Sequence, residues 1–207
     1  MSHVESGIRQ ILENSKVYQG FIDILGGRSL YKYFVNEIVK PKEGCKILDI
    51  GCGTGVLLEY FEDNIDYTGI DLNGKYISKA KAKYLNKGTF ITSKIDKNFK
   101  LNMSSKFDYV ICLAVLHHLD DTVINDLLDN VKEILKFDGK FITLDPCRVS
   151  NQKILPKLLM DFDRGRNIKT TKNYEMIIRK HFSKVKMSEF NNLLRIPYTH
   201  CISVSSI

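Results

Sequence analysis

Three glycines at alternate positions, Gly51, Gly53 and Gly55, stand between an apolar run and a helical pattern in Ile47-Leu-Asp-Ile-Gly-Cys-Gly-Thr-Gly55. Glycine at such a junction lets the backbone turn sharply and lets a ligand approach the main chain with no Cβ in the way. The competing role is a plain tight turn. The spacing is G-x-G-x-G, which departs from the G-x-G-x-x-G fingerprint of dinucleotide binding and weakens a hydride-transfer reading. Asp49, two residues earlier, places a carboxylate where loop amides or water near a bound amino group would meet it. Asp71 in Gly69-Ile-Asp71 ends the next apolar run, 20 residues after Gly51. A carboxylate there can accept both hydroxyls of a ribose and would repel a phosphate on it.

A second group follows the run Phe107-Asp-Tyr-Val-Ile-Cys-Leu113, where His117 and His118 are adjacent. An imidazole with an ordinary pKa of ~6.5 suits a general base at neutral pH. On extended chain the two would point to opposite faces, so one is expected to face a pocket, and His117 is the favoured base. Packing or hydrogen bonding at the strand end is the competing role for both. No third ligand at helical spacing accompanies them, so no metal site is expected. Arg148, Arg164, Arg166 and His200 lie in or beside late loops; Arg suits a carboxylate, a phosphate or sugar hydroxyls, or a structural ion pair. Tyr18, Arg28 and Tyr31 sit in N-terminal helical patterns. Asp108, at the start of its run, reads as structural. Cys45, Cys52, Cys112, Cys147 and Cys201 form no C-x-x-C pair and read as small core residues in a reduced, cytoplasmic compartment.

The elements that must position these residues show as changes of hydrophobic period. From Val4 to about Val39 apolar residues recur at three and four, predicting two or three amphipathic helices broken at Gly26-Gly27. Strand-length runs follow at Lys46–Ile50, Tyr67–Ile70, Thr89–Thr92, Tyr109–Leu113 and Phe141–Leu144, with helical patterns at Val56–Phe61, Tyr76–Leu85 and Val123–Leu135. That alternation predicts an α/β fold with a doubly wound, mostly parallel sheet. Asn151–Met160 and Lys172–His181 read as further helices. Val185–Phe190 and Cys201–Val204 read as an antiparallel closing pair, because the connection through Pro197 is too short for a parallel crossover.

Taken together, these motifs resemble the class I S-adenosylmethionine-dependent methyltransferases. Leu48 to Gly55 matches the glycine loop, Gly69-Ile-Asp71 the ribose acid, Phe107 to Leu119 the fourth strand with its active-site end, and Leu135-Lys-Phe-Asp-Gly-Lys-Phe-Ile142 the turn into the fifth. Leu116-His-His-Leu119, Asp145-Pro-Cys147 and Ile196-Pro-Tyr-Thr-His200 resemble a small bacterial subgroup. The resemblance implies a Rossmann-like seven-stranded sheet with an antiparallel last strand and an N-terminal helical lid, and S-adenosylmethionine as the cofactor. It implies that Asp49, Gly51, Gly53 and Gly55 line the methionine part, Asp71 the ribose and Leu72 one face of the adenine. It also implies that the main chain near Leu113 meets the methionine ammonium. Ser93-Lys94 stands where the family usually has an acid or amide for the adenine amino group, leaving Ser93, Asp96 or a backbone carbonyl to substitute. Tyr18, Arg148, Arg164 and His200 become candidate contacts to a methyl acceptor. The expected division is one domain over 1–207, with N-terminal helices to 40, a cofactor-binding core over 41–145 and substrate-side helices and closing strands over 146–207.

Composition narrows the acceptor. The chain has 207 residues, 43% of them hydrophobic, and a net charge of +7, enough apolar content to bury a core without staples. Its longest apolar run, Tyr109–Leu116, falls far short of the ~20 residues that span a bilayer, so no membrane association is expected. Lys75 to Lys106 holds nine Lys and one acid, Asp96; the positive charge is local, and Lys75, Lys79, Lys83 and Lys87 at i+4 spacing predict one helical stripe. The position after the fourth strand lacks the Asn/Asp-Pro-Pro-aromatic motif of base-amine methylation, which argues against a nucleic-acid acceptor. The expectation is a methyltransferase acting on a small molecule or sugar, with oxygen favoured. An RNA methyltransferase and a non-catalytic cofactor-binding subunit are the rivals.

Overall fold

The computed structural model describes residues 23–62, 64–94, 106–149 and 167–207. Seven strands, β1 (Lys46–Ile50), β2 (Asp66–Asp71), β3 (Thr89–Thr92), β4 (Phe107–Leu113), β5 (Leu135–Pro146), β6 (Lys184–Phe190) and β7 (His200–Ser206), form one sheet in the order β3-β2-β1-β4-β5-β7-β6. β1 to β5 pair in parallel, and β7 runs antiparallel between β5 and β6. The helices are α1 (Gly27–Tyr33), α2 (Gly74–Tyr84), α3 (Asp121–Ile134) and α4 (Thr171–Ile178). The order reverses between β1 and β4, and a crevice for a ligand opens outside the carboxyl ends of the strands at such a switch point.

Strand alternation divides the core into two layers. Leu48 and Ile50 of β1 and Val110 and Cys112 of β4 pack with Leu127, Leu128 and Val131 of α3 on one face. Ile47, Tyr109 and Ile111 pack with Ile77 and Ala80 of α2 and with Phe34 and Val35 on the other. Burial on both faces explains why β1 reads as a nearly unbroken apolar run. Asp49 interrupts that run on the second face.

Several boundaries depart from the periodic reading. The segment predicted as a helix at Val56–Phe61 is a short 3₁₀ turn, Val56–Tyr60. α2 ends at Tyr84, because Leu85 takes a positive φ of 43°, so Lys87 falls on a separate 3₁₀ turn and the helical lysine stripe stops at Lys83. Gly26 breaks the N-terminal pattern with φ 98°. Residues 1–22, including Tyr18, and residues 150–166, including Arg164, Arg166 and the predicted helix Asn151–Met160, lie outside the described residues, as does Asp96. Among the described residues no helix is long and apolar enough to cross a membrane.

The lower end of the sheet is braced by Asp108, which accepts the Lys46 backbone N–H at 2.8 Å and pairs with the Lys136 ammonium at 2.8 Å. At the opposite end, Asp120 closes the turn that follows β4 and caps α3 by accepting the Val123 N–H at 2.9 Å. Asp120→Ala should lower unfolding free energy in urea by about 1 kcal/mol, with no change in the denaturant slope.

Candidate functional site

The glycine loop leaves β1 with three left-handed backbone conformations, φ 75° at Gly51, 56° at Gly53 and 76° at Gly55. Their reasons differ. A Cβ on Gly51 would collide with a methyl of Val115, and one on Gly55 would lie 2.8 Å from the Phe90 ring, whereas a Cβ on Gly53 would meet nothing within 4 Å. Gly51 and Gly55 therefore seat the loop against the protein, and Gly53 is the glycine whose side faces open space. The Gly51 and Cys52 amides donate to the Ile70 carbonyl at 2.7 and 3.0 Å, tying the loop to the end of β2.

Asp71 completes that tie. Its Oδ2 accepts the Gly53 N–H at 2.9 Å and its Oδ1 the Asn73 N–H at 2.7 Å. Asp71 is half-buried, and two amides leave lone pairs on both oxygens for hydroxyl donors. Beside it Leu72 is 69% exposed, although most aliphatic side chains of its size are buried here. Ser93, after β3, donates its N–H to the Asp71 carbonyl at 3.1 Å. Leu113 ends β4, and the next residue, Ala114, takes φ 57° while donating to the Leu144 carbonyl at 2.7 Å. A left-handed alanine is strained, and nothing in its residue type announces it.

Asp49 is 3% exposed and accepts the Tyr67 hydroxyl at 2.5 Å, a partner outside the loop amides or ligand-side water that its position suggests. Burial, reinforced by the nearby Asp71 charge, raises its carboxyl pKa to about 7, against a counteracting effect of the Tyr67 bond. Tyr67 is fixed by Phe61 and Phe90, with ring centroids 6.1 and 5.8 Å away, and Tyr84 stacks on Phe90. The same aromatic group thus supports Gly55 and aims the phenol.

The two histidines lie on a 3₁₀ turn, Leu116–His118, not on extended chain. Opposite-face geometry therefore does not apply, and their rings pack together with centroids 4.0 Å apart. His117 is buried, with Nδ1 2.8 Å from Asp145 Oδ1 at the end of β5, and its backbone N–H donates to the same oxygen at 3.1 Å. His118 is exposed. The Asn167 N–H donates to the His117 carbonyl at 3.0 Å. His200 begins β7 opposite Pro146, buried, its ring 5.2 Å from that of Tyr198. Arg148 is half-buried and bridges to Thr170 through the backbone. Asp49, the glycine loop, Asp71, Ser93 and Leu113 thus gather around the carboxyl ends of β1 to β4. His117, His118 and His200 form an adjoining group around β4, β5 and β7. Asp145, Tyr67 and Ala114 were not singled out for these roles by the sequence; the acid at the end of β5 was the available signal for the first.

Residues 48–141 match a family model described as a methyltransferase domain. The chain is 32% identical over 103 residues to a ubiquinone biosynthesis O-methyltransferase of Haemophilus ducreyi, covering 46% of this chain and 43% of that one. It is 30% identical over 152 residues to a phosphoethanolamine N-methyltransferase of Triticum aestivum, covering 72% and 29%. The chain spans about two fifths of the length of the first curated relatives it matches. Among solved structures, a TehB-like SAM-dependent methyltransferase from Corynebacterium glutamicum superposes with a TM-score of 0.63 at 15% identity, over 86% of each chain. The Rossmann-like α/β methyltransferase fold expected from the sequence is the observed one.

The raised carboxyl of Asp49 has a signed consequence for stability. The unfolded chain ionises this group near the ordinary carboxylate value of 3.8 and the folded chain only at about 7, so folding loses stability as pH rises between these values and no further above. Asp49→Asn removes this contribution. In urea unfolding, the stability of Asp49→Asn relative to the wild type should rise by on the order of 4 kcal/mol between pH 4 and pH 8.

Proposed function

We propose that the protein is an S-adenosylmethionine-dependent methyltransferase that methylates a small molecule, with a sugar or other hydroxyl compound as the acceptor and oxygen as the methylated atom. The observation that carries this is the left-handed glycine loop locked to the ribose-type acid, Gly53 N–H to Asp71 Oδ2 at 2.9 Å. The match of residues 48–141 to the methyltransferase-domain model supports it. The relatives include both an O- and an N-methyltransferase; the hydroxyl preference draws its support from the candidate base beside the pocket. Leu116-His-His-Leu119 and Pro197-Tyr-Thr-His200 support the small bacterial subgroup, and the five free cysteines support a cytoplasmic setting.

The residues present fit the cofactor. Open space at Gly53 admits a ligand to the backbone, Asp71 offers lone pairs to ribose hydroxyls, and exposed Leu72 offers an apolar face to the adenine. Asp49, a buried acid whose carboxyl is raised to about 7, would favour a cationic ligand, which stabilises its ionised form. When bound, S-adenosylmethionine supplies a methyl on a sulfonium: the acceptor oxygen bonds to that carbon, the carbon–sulfur bond breaks with its electron pair on sulfur, and the hydroxyl proton passes to a base. The protein's work is to align the acceptor, exclude water and take that proton. His117 is the proposed proton acceptor, with His118 beside it. Tyr18, Arg148, Arg164 and His200 are the proposed acceptor contacts.

Asp71→Ala should weaken S-adenosylmethionine binding in equilibrium dialysis by ~1 to 3 kcal/mol, because it removes a charged hydrogen-bond acceptor; unchanged affinity would remove Asp71 from the pocket. A panel of sugars, nucleotide sugars, phenols, amines and RNA with methyl-labelled cofactor should place label on a hydroxyl compound. Label on RNA alone, or binding without transfer to any member, would overturn the acceptor assignment. His117→Ala should lower turnover by ~10²-fold or more at unchanged cofactor affinity.

A further inference from the structure

We propose that the groove at the lower end of the sheet is a second binding site, for a nucleoside polyphosphate. Lys140, Lys184 and Lys186 hold its phosphates over Ser206, and Phe137 takes its base. Strand register builds the site. Lys184 of β6 lies opposite Ser206 and Lys186 opposite Val204; Phe141 of β5 lies opposite Ser205, which brings Lys140 level with Ser206. Alternate residues share a face, so the three lysines stand on the face that carries Ile142 and Ile202. Lys140 and Lys184 flank Ser206 about 10 Å apart, and Lys186 follows about 7 Å along β6. Four-carbon stems span such distances and converge on one group. Ile202 is buried on this face, whereas Val204 and Ser206, further along the same interior strand, are half-buried. The face is open there, and a groove of about 640 Å³ takes in these residues and Phe137, a volume in the range of small-molecule sites.

Charge and exposure together select the occupant. Lys140, Lys184 and Lys186 are exposed, and none has an ion-pair partner among the described residues. The other cation of the lining, Arg179, is already committed, to Glu175 at 2.7 Å and to the Val185 carbonyl at 2.9 Å. Asp138 is the acidic side chain of the lining, so positive charge remains in excess. Three ammonium groups that repel one another are relieved by a multivalent anion, and their rotatable donors suit phosphate oxygens. Phe137, at the turn from α3 into β5, is 87% exposed, more than any other large exposed apolar residue described. An open ring beside a cationic groove is the platform on which a base stacks while its phosphates meet the charge. An acidic peptide would answer the lysines and leave that ring without a planar partner. The groove is separate from the glycine loop: Lys140 precedes Asp145 by five positions on β5, roughly 17 Å of strand.

Amide ¹⁵N–¹H spectra of the whole chain, titrated with metal-free ATP, locate the site without any variant. The signals of Lys140, Lys184, Lys186 and Ser206 should shift and saturate at or below millimolar concentration. No saturable shift at these residues, or shifts confined to Gly53 and Asp71 in the crevice, overturns the proposal. At constant ionic strength, combined Lys184→Gln and Lys186→Gln should weaken both ATP and inorganic triphosphate by about tenfold or more. Phe137→Ser should weaken ATP by about fivefold or more and leave triphosphate within about twofold. Equal affinity for ATP and triphosphate, unchanged by Phe137→Ser, overturns the nucleoside assignment. Tighter binding of hexaglutamate than of ATP assigns the groove to an acidic protein segment and overturns it too. S-adenosylmethionine affinity should stay within about twofold in every variant, so the groove and the cofactor crevice stand or fall separately.

Discussion

A single carboxylate closes the loop on which the rest of the site depends. Three residues with positive φ between Gly51 and Gly55 make a turn that L side chains resist, and such a turn keeps its shape only if its amides are held. Asp71 holds one of them, Gly53, from the end of the neighbouring strand, and its other oxygen holds Asn73. The Ile70 carbonyl holds two more, Gly51 and Cys52. The hydrogen bonds that shape the loop thus fix the position of the proposed ribose acceptor. Parallel pairing of β1 with β2 sets this arrangement, because the register Ile50 opposite Ile70 brings the two strand ends level.

The crevice is also electrostatically prepared. Asp49, Asp71 and Asp145 gather acidic charge at the carboxyl edge of the sheet, and two of them are buried. For Asp49 the consequence is a carboxyl raised to about 7, by desolvation first and by Asp71 second. A ligand with positive charge would relieve both causes, whereas a phosphate would add to the second. The preference for a cationic nucleoside over a dinucleotide therefore has a physical basis in the site as well as in the glycine spacing. The lysines of the Lys75–Lys106 window that fall on α2, among them Lys75, Lys79 and Lys83, are exposed on the helix surface, and Lys83 pairs with Glu59.

Much of the fold was legible because burial imposes period. β1 and β3 match their apolar runs to the residue, and the antiparallel closing pair follows from a connection too short for a crossover. Loop chemistry was legible from Gly51, Gly53, Gly55 and Asp71, where residue type and backbone demand coincide. What was not legible depends on tertiary contact. Val115 pressing on Gly51, the left-handed Ala114 and the Tyr67 phenol on Asp49 join residues whose types are compatible with many surroundings. The histidines show the same limit: their position suggested extended chain, yet the segment turns into a 3₁₀ coil that packs the two rings together and brings His117 to Asp145. Fold alone names no acceptor, since this architecture carries many chemistries.

We propose that the site at the carboxyl ends of β1, β2 and β4 is built for a cationic nucleoside sulfonium. Calorimetric titration of the wild-type chain with S-adenosylmethionine, in parallel with NAD, tests it most directly. Saturable 1:1 heat is expected with S-adenosylmethionine and none with NAD. Saturation by NAD, or no heat with S-adenosylmethionine at millimolar concentration, would contradict it.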